Sequence, residues 1–269
     1  MTKDTVQKKN NKISLKKTKN IELSIQFSLD GFSFCVLDSK TQKDIYFTQY
    51  QFEETLNSLE DLLKRIETIF KNDANLQIEY AAVSVIHQSN LSTIVPSKYF
   101  DKKSLATYLN FNIKTLKTDF ITFDNINTID AKNVYVPYVN INNYLFQNFG
   151  EFEYQHHSSI LLEKLLKIES STEKKMYVNV SKSSFDIVVL ENRKLIFSNS
   201  FSYTTKEDFI YYILFTAEQI QLNTEEFKLY FMGEIEIESE IYKIAYTYIK
   251  NISFLKSENS IFKDLEISN

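Results

Sequence analysis

Three histidines, one cysteine and three glycines are all that this 269-residue sequence offers to metal, thiol or phosphate-loop chemistry. Glu153, His156 and His157 form its densest polar group. On an extended strand, Glu153 and His157 share a face and His156 points the other way. Two ligands on one face fall short of the three or four that zinc takes, and His87 lies far off in the sequence. The histidines are therefore expected at the surface. Cys35 occupies an apolar strand position with no histidine placed near it, so it reads as a small buried hydrophobe. Asp38 and Glu191 are carboxylates of the kind used in acid–base chemistry, but they read as solvated strand ends. Average usage would supply about 19 glycines in this length, so glycine-dependent phosphate loops are nearly excluded by number. The 22 Phe and 17 Tyr, with no Trp, fall mostly on periodic faces. That pattern suits a core better than a nucleic-acid stacking platform. Tyr211, Tyr212, Tyr242, Tyr246 and Tyr248 read either as core or as exposed tyrosine of the kind enriched at protein interfaces.

Charge is unevenly spread. The chain carries −4 overall, yet residues 1–20 hold seven lysines and one acid, Asp4. A basic arm therefore precedes an acidic body, and residues 1–20 are expected to be a disordered tail. Lys8, Lys9, Lys12, Lys16, Lys17 and Lys19 could meet a nucleic acid, an anionic lipid or the protein's own body. Apolar residues at 43% and charged residues at 25% are those of a globular chain. No apolar run approaches the roughly 20 residues of a membrane span. The polar N-terminus lacks the apolar core of a secretory signal, so a cytoplasmic location is expected. A single cysteine excludes an internal disulfide framework.

The elements that must position these residues follow from hydrophobic period. Leu23, Ile25 and Phe27, then Phe32, Phe34 and Val36, alternate with polar residues and predict two strands. Asp30-Gly31 between them predicts a type I′ hairpin turn. A third strand is expected over 44–52. Leu56, Leu59, Leu63, Ile66 and Phe70 then recur at three- and four-residue spacing, which predicts an amphipathic helix. Strands are expected over 77–86, 92–95 and 134–139, with helices over 103–109, over 142–149 (closed by Gly150) and over 160–168. The polar run 169–175 reads as a boundary without apolar anchors. Beyond it the first pattern restarts: Met176, Val178 and Val180 alternate, then Phe185, Ile187 and Val189. A third strand over 195–201 follows. Thr205 and Asp208 open a helix as a capping box. A strand ending at Gly233, a helix over 237–249 and a strand over 252–255 complete the chain.

This recurrence is an internal repeat. Residues 23–38 align on 176–191 without a gap, with identities at Ser28/Ser181, Phe32/Phe185, Val36/Val189 and Leu37/Leu190. A three-residue shortening then brings Phe47 onto Phe197. Each copy reads β-β-β-α-β-α, and the first carries an insertion. The expected organisation is a tail at 1–20, a first lobe at 21–172 with an insertion around 75–130, and a second lobe at 173–269.

Two such copies resemble the α/β fold of the actin-like ATPases, also called ribonuclease H-like. The stretches LSIQFSLDGFSFCVLD, VSVIHQSNLSTIVPSKYF, VNVSKSSFDIVVLENRKLIF and LYFMG are similar to an uncharacterised bacterial domain-of-unknown-function family of this fold, over residues 21–255. Residues 83–96 also resemble the actin-like cytoplasmic proteins of type II secretion and type IV pili, which use the fold largely for docking. The resemblance implies an ATP site in which the first hairpin of each half grips phosphate, typically through Asp-x-Gly-Thr/Ser. Here Asp30 and Gly31 are adjacent and Phe32 replaces the hydroxyl residue. The second turn has Ser183 and Ser184, with neither acid nor glycine. Gly233 stands where paired glycines contact adenosine, followed by Glu234. These five positions are a degenerate nucleotide site, and no productive ATP hydrolysis is expected. The expected role is a non-catalytic scaffold with a protein partner. The alternatives are an ATP- and Mg²⁺-binding switch or divergent small-molecule kinase, and an RNA- or ribosome-associated factor acting through the lysine arm.

Overall fold

The computed structural model describes residues 4–10, 20–41, 43–169 and 171–255. In chain order, β1 is Thr5–Asn10, β2 Ile21–Ser28, β3 Gly31–Asp38 and β4 Asp44–Gln51. Helix α1 spans Leu59–Asn72 and β5 spans Ala82–His87. Then come β6 (Ser92–Pro96), α2 (Leu105–Leu109), β7 (Thr122–Ile126), β8 (Ala131–Tyr135), α3 (Val139–Phe149), β9 (Glu153–His156) and α4 (His157–Ile168). The last part contains β10 (Lys175–Val180), β11 (Ser184–Glu191), β12 (Lys194–Ser202), α5 (Lys206–Gln219), β13 (Lys228–Gly233), α6 (Glu240–Tyr248) and β14 (Asn251–Phe254).

The chain divides into two compact units. One comprises the described residues of Met1–Ser89 with Lys114–Thr122 and Tyr135–His157; the other takes Asn90–Ile113, Phe123–Val134 and the described residues from Ser158 on. The expected boundaries, 21–172 and 173–269, differ from this division. The reason lies in side chains: Leu161, Leu162, Leu165 and Leu166 of α4, and Ile126 of β7, are buried against Tyr177, Val188 and Leu190 of the second unit. The run 169–175 was expected to lack anchors, yet Glu169 is 2% exposed.

In the first unit a six-stranded sheet runs β1-β4-β3-β2-β5-β9. Alternation along β2 and β3 sends Leu23, Ile25, Phe27, Phe32, Phe34 and Val36 into one core with Leu62, Ile66 and Phe70 of α1 and Ile141 and Leu145 of α3. In the second unit a five-stranded sheet runs β12-β11-β10-β13-β14. Met176, Val178 and Val180 pack under α5 and α6, while Tyr177 faces the opposite core, with α4. Burial on both faces explains why β10 and β11 read as nearly continuous apolar runs. A three-stranded sheet, β6-β8-β7, belongs mostly to the second unit.

The two large sheets repeat one plan. Leaving β1 aside, each has the third strand of its copy at one edge, then the second, then the first, then two parallel additions. Both copies carry a register shift at matched places, between Val36 and Leu37 and between Val189 and Leu190. Helices α1 and α5 are both 14 residues long. The insertion lies between β5 and α3, later than the expected span of 75–130, because β5 pairs with β2 just as β13 pairs with β10.

Three local expectations are corrected. Val36 pairs with Tyr46 and Val189 with Phe197, so Phe197 matches Tyr46 rather than Phe47. A one-residue slip would turn every following side chain to the other face; Tyr46 and Phe197 both meet the core of their own unit. Neither Asp30 nor Gly31 has positive φ; the type I′ turn is at Asn192 and Arg193, with φ of 49° and 59°. Finally, the arm is not disordered over 5–10. It pairs antiparallel with β4, Asp4 meets Arg65 at 2.8 Å, and Lys8 meets Asp73 at 3.5 Å. Lys12, Lys16, Lys17 and Lys19, and the side chain of Lys9, lie outside the described residues.

Candidate functional site

Of the five positions named from the sequence, Asp30, Gly31, Ser183 and Ser184 fall at or beside the equivalent first hairpin turns of the two units, and Gly233 ends β13. In the first, the loop between β2 and β3 is closed by its own neighbours. The Phe52 amide donates to the Asp30 carbonyl (2.9 Å) and the Leu56 amide to that of Leu29 (2.8 Å). The Asp30 amide, which an anion-gripping turn would present to phosphate, donates instead to Ser28 Oγ at 3.1 Å. Thr55 Oγ1 donates to the Asp30 carboxylate at 2.5 Å. Gly31 is needed for close approach, since a Cβ there would stand 2.8 Å from the Tyr50 carbonyl oxygen.

In the second unit the same closure recurs. The Tyr203 amide donates to the Ser183 carbonyl at 3.0 Å, as Phe52 does to Asp30, and the Ser181 amide donates to the Ser184 carbonyl at 2.8 Å. Gly233 is brought beside this turn by its pairing with Val180. Its φ is +81°, and a Cβ would lie 2.2 Å from the Val180 carbonyl oxygen. The Glu234 amide donates to that same oxygen at 2.7 Å. Ser183, Ser184 and Gly233 therefore share one sheet end. The carbonyls of all three accept from the chain's own amides, those of Tyr203, Ser181 and Ile235.

The histidines are buried, not at the surface as the sequence suggested. His87 and His156 are both 0% exposed. They end β5 and β9, and His157 opens α4 instead of extending a strand. Register sets Phe27 beside His87 and His87 beside His156, a row across the carboxyl ends of three parallel strands. In open α/β sheets that end is where ligands gather. Here rings fill it: Phe27, Tyr135, Tyr138 and Tyr154 surround His87 at centroid distances of 4.8–6.5 Å. The Tyr138 amide donates to His87 Nδ1 at 3.2 Å, so Nε2 carries the proton that reaches Asn142 Oδ1 at 2.9 Å. Burial lowers His87 to about 4, against a smaller upward effect of Asn142. Burial, then the neighbouring His157 and His87, hold His156 well below the ordinary value. Both are neutral near pH 7 and engaged in hydrogen bonds. No group of three or more His, Cys, Asp or Glu side chains among the described residues is placed to hold a metal. For His87 the signal in the sequence was position, at the end of the apolar strand β5; β9, with Glu153 and Gln155, gave no such signal for His156.

A second polar cluster escaped the sequence reading. The Tyr177 hydroxyl donates to Glu169 Oε2, Lys175 Nζ meets Oε1 at 3.1 Å, and the Ser171 amide donates to the same oxygen at 2.5 Å. Burial works to raise the Glu169 carboxyl, but the hydrogen bonds from Tyr177, Ser171 and Lys175 together hold it below its ordinary value. The cluster ties α4 to β10 and leaves no group for chemistry. Of the tyrosines, Tyr211, Tyr246 and Tyr248 are exposed, while Tyr212 and Tyr242 pack against the core.

Comparison with known proteins identifies a family and a fold. The model of a family described as "Protein of unknown function (DUF3822)" matches residues 10–252. The crystal structure of a Bacteroides thetaiotaomicron VPI-5482 protein with an actin-like ATPase fold and unknown function superposes with a TM-score of 0.84 at 21% identity, over 95% of this chain and 98% of that one. A chain of the PilM–PilN type IV pilus biogenesis complex superposes with a TM-score of 0.56 at 10% identity, over 92% of this chain and 90% of that one. No curated protein sequence matches. The fold is that of the actin-like ATPases, as the duplicated pattern implied. Among the described residues no helix is long and apolar enough to cross a membrane.

Proposed function

The chain belongs to the DUF3822 family of proteins of unknown function, and we propose that it uses the actin-like fold as a non-catalytic docking module for a protein partner. One observation carries this reading. At each hairpin turn an amide of the kind that a phosphate-gripping loop aims at its ligand donates instead to the chain itself, Asp30 to Ser28 Oγ and Ser181 to the Ser184 carbonyl. A ligand would have to displace these bonds before either amide could reach it. Two further features support it. Gly233 leaves no space beside Val180, and the PilM–PilN structure holds a chain of similar fold in a complex.

Mg-ATP added at millimolar concentration is expected to leave the unfolding midpoint unchanged and to give no heat in calorimetry. A ligand at one hundred times its Kd stabilises the folded state by about 2.7 kcal/mol, so binding would be plain. A clear rise in midpoint with Mg-ATP, or Mg²⁺-dependent turnover lost in Asp30→Ala, would replace the docking reading with a nucleotide switch.

A further inference from the structure

Four strands form the sheet edges described here for the two large sheets. β9 and β14 are four residues each, and β1 carries lysines in its six. Shortness and lysine are the usual protections of an edge. β12 is different. It runs nine residues, KLIFSNSFS, with no charge from Leu195 to Ser202 and no proline. No strand among the described residues pairs with its outer side.

The repeat gives this edge a reference. β12 is the counterpart of β4, and Tyr46–Gln51 matches Phe197–Ser202 through their equal pairings with β3 and β11. In the first unit β1 covers that very stretch, and Arg65 of α1 clamps Asp4 just ahead of it. Counting from the equivalent caps Ser58 and Thr205, the positions of Lys64, Arg65 and Thr68 become Tyr211, Tyr212 and Phe215 in α5. The charged clamp has become an aromatic wall. Tyr212 stacks on Phe201 of β12 at 4.7 Å, and rings continue outward through Tyr211 to Phe215. Tyr211 is 59% exposed and Phe215 45%.

We infer that the outer edge of β12 pairs antiparallel with β12 of a second copy of this chain, joining two five-stranded sheets across a two-fold axis. An uncharged strand laid against itself sets no like charges opposite one another. A wall without charge selects no charged peptide but matches its own copy, and such closed two-fold pairs are the commonest assemblies. Apolar and aromatic residues are enriched in homodimer interfaces. The inference does not depend on the docking role proposed above.

Sedimentation velocity of the full chain between about 1 and 100 µM tests it, a range that resolves a Kd in the micromolar region. A dimer is expected, with Asn199→Lys and Tyr211→Glu each weakening it at least about tenfold. Hydrogen exchange of the wild-type amides of residues 195–202 should slow as concentration rises, which keeps the test decisive if a variant fails to fold. A monomer with concentration-independent exchange in β12, growth beyond two copies, or a dimer indifferent to both variants would overturn it.

Discussion

At the scale of single residues, the informative positions are those where chemistry was expected and packing was found. Gly233 occupies the place that the actin-like pattern gives to a nucleotide-contacting glycine, yet its positive φ and the Val180 oxygen 2.2 Å from a would-be Cβ are reason enough for glycine. Gly233→Ala is therefore expected to destabilise the chain by about 2 kcal/mol or more, the range of substitutions that strain a special backbone position. Urea unfolding measures this. A loss below about 0.5 kcal/mol would mean that the turn relaxes freely. His87 teaches the same lesson from the other side. Its type suggested surface or ligand, but its place at the end of β5 put it under Phe27 and Tyr138.

At the scale of elements, the repeat is visible in how helices begin. Ser58 caps α1 by accepting from the Asp61 amide, and Thr205 caps α5 with a full capping box to Asp208. Both helices lay an apolar stripe on their own sheet, through Leu62 and Ile66 in one and Phe209 and Ile213 in the other. Ser58→Ala and Thr205→Ala should each cost about 1 kcal/mol. Chemical denaturation of the two variants measures the costs, and a stabilised Thr205→Ala would contradict the capping geometry. Strand β1 shows how far an element can depart from composition. Seven lysines in twenty residues suggested a solvated tail, but backbone pairing with β4 holds residues 5–10 in a sheet.

At the scale of the whole molecule, stability carries the signature of the buried histidines. In the unfolded chain a histidine takes up its proton near pH 6.5, whereas folded His87 does so only near 4, and His156 is shifted the same way. Between these values the unfolded state binds more protons, so stability falls as pH is lowered from about 6.5 toward 4. Each histidine contributes at most about 1.4 kcal/mol per pH unit to the slope. Urea midpoints at pH 7, 6 and 5 test this. A flat profile would show that neither ring resists protonation in the folded protein more than in the unfolded chain.

The amino-acid sequence by itself determined the duplicated α/β pattern, the two long helices with the Thr205 cap of the second, and the matched strand pair 23–38 and 176–191. Each of these rests on a local period or a local hydrogen bond, which neighbouring residues dictate. Only tertiary structure decided which edges were covered, that the histidines were interior, and that residues 90–113, 123–134 and 158–169 group with the second unit. Those outcomes depend on partners distant along the chain, such as β4 for β1 and Tyr138 for His87, and no local window of sequence contains both members of such a pair.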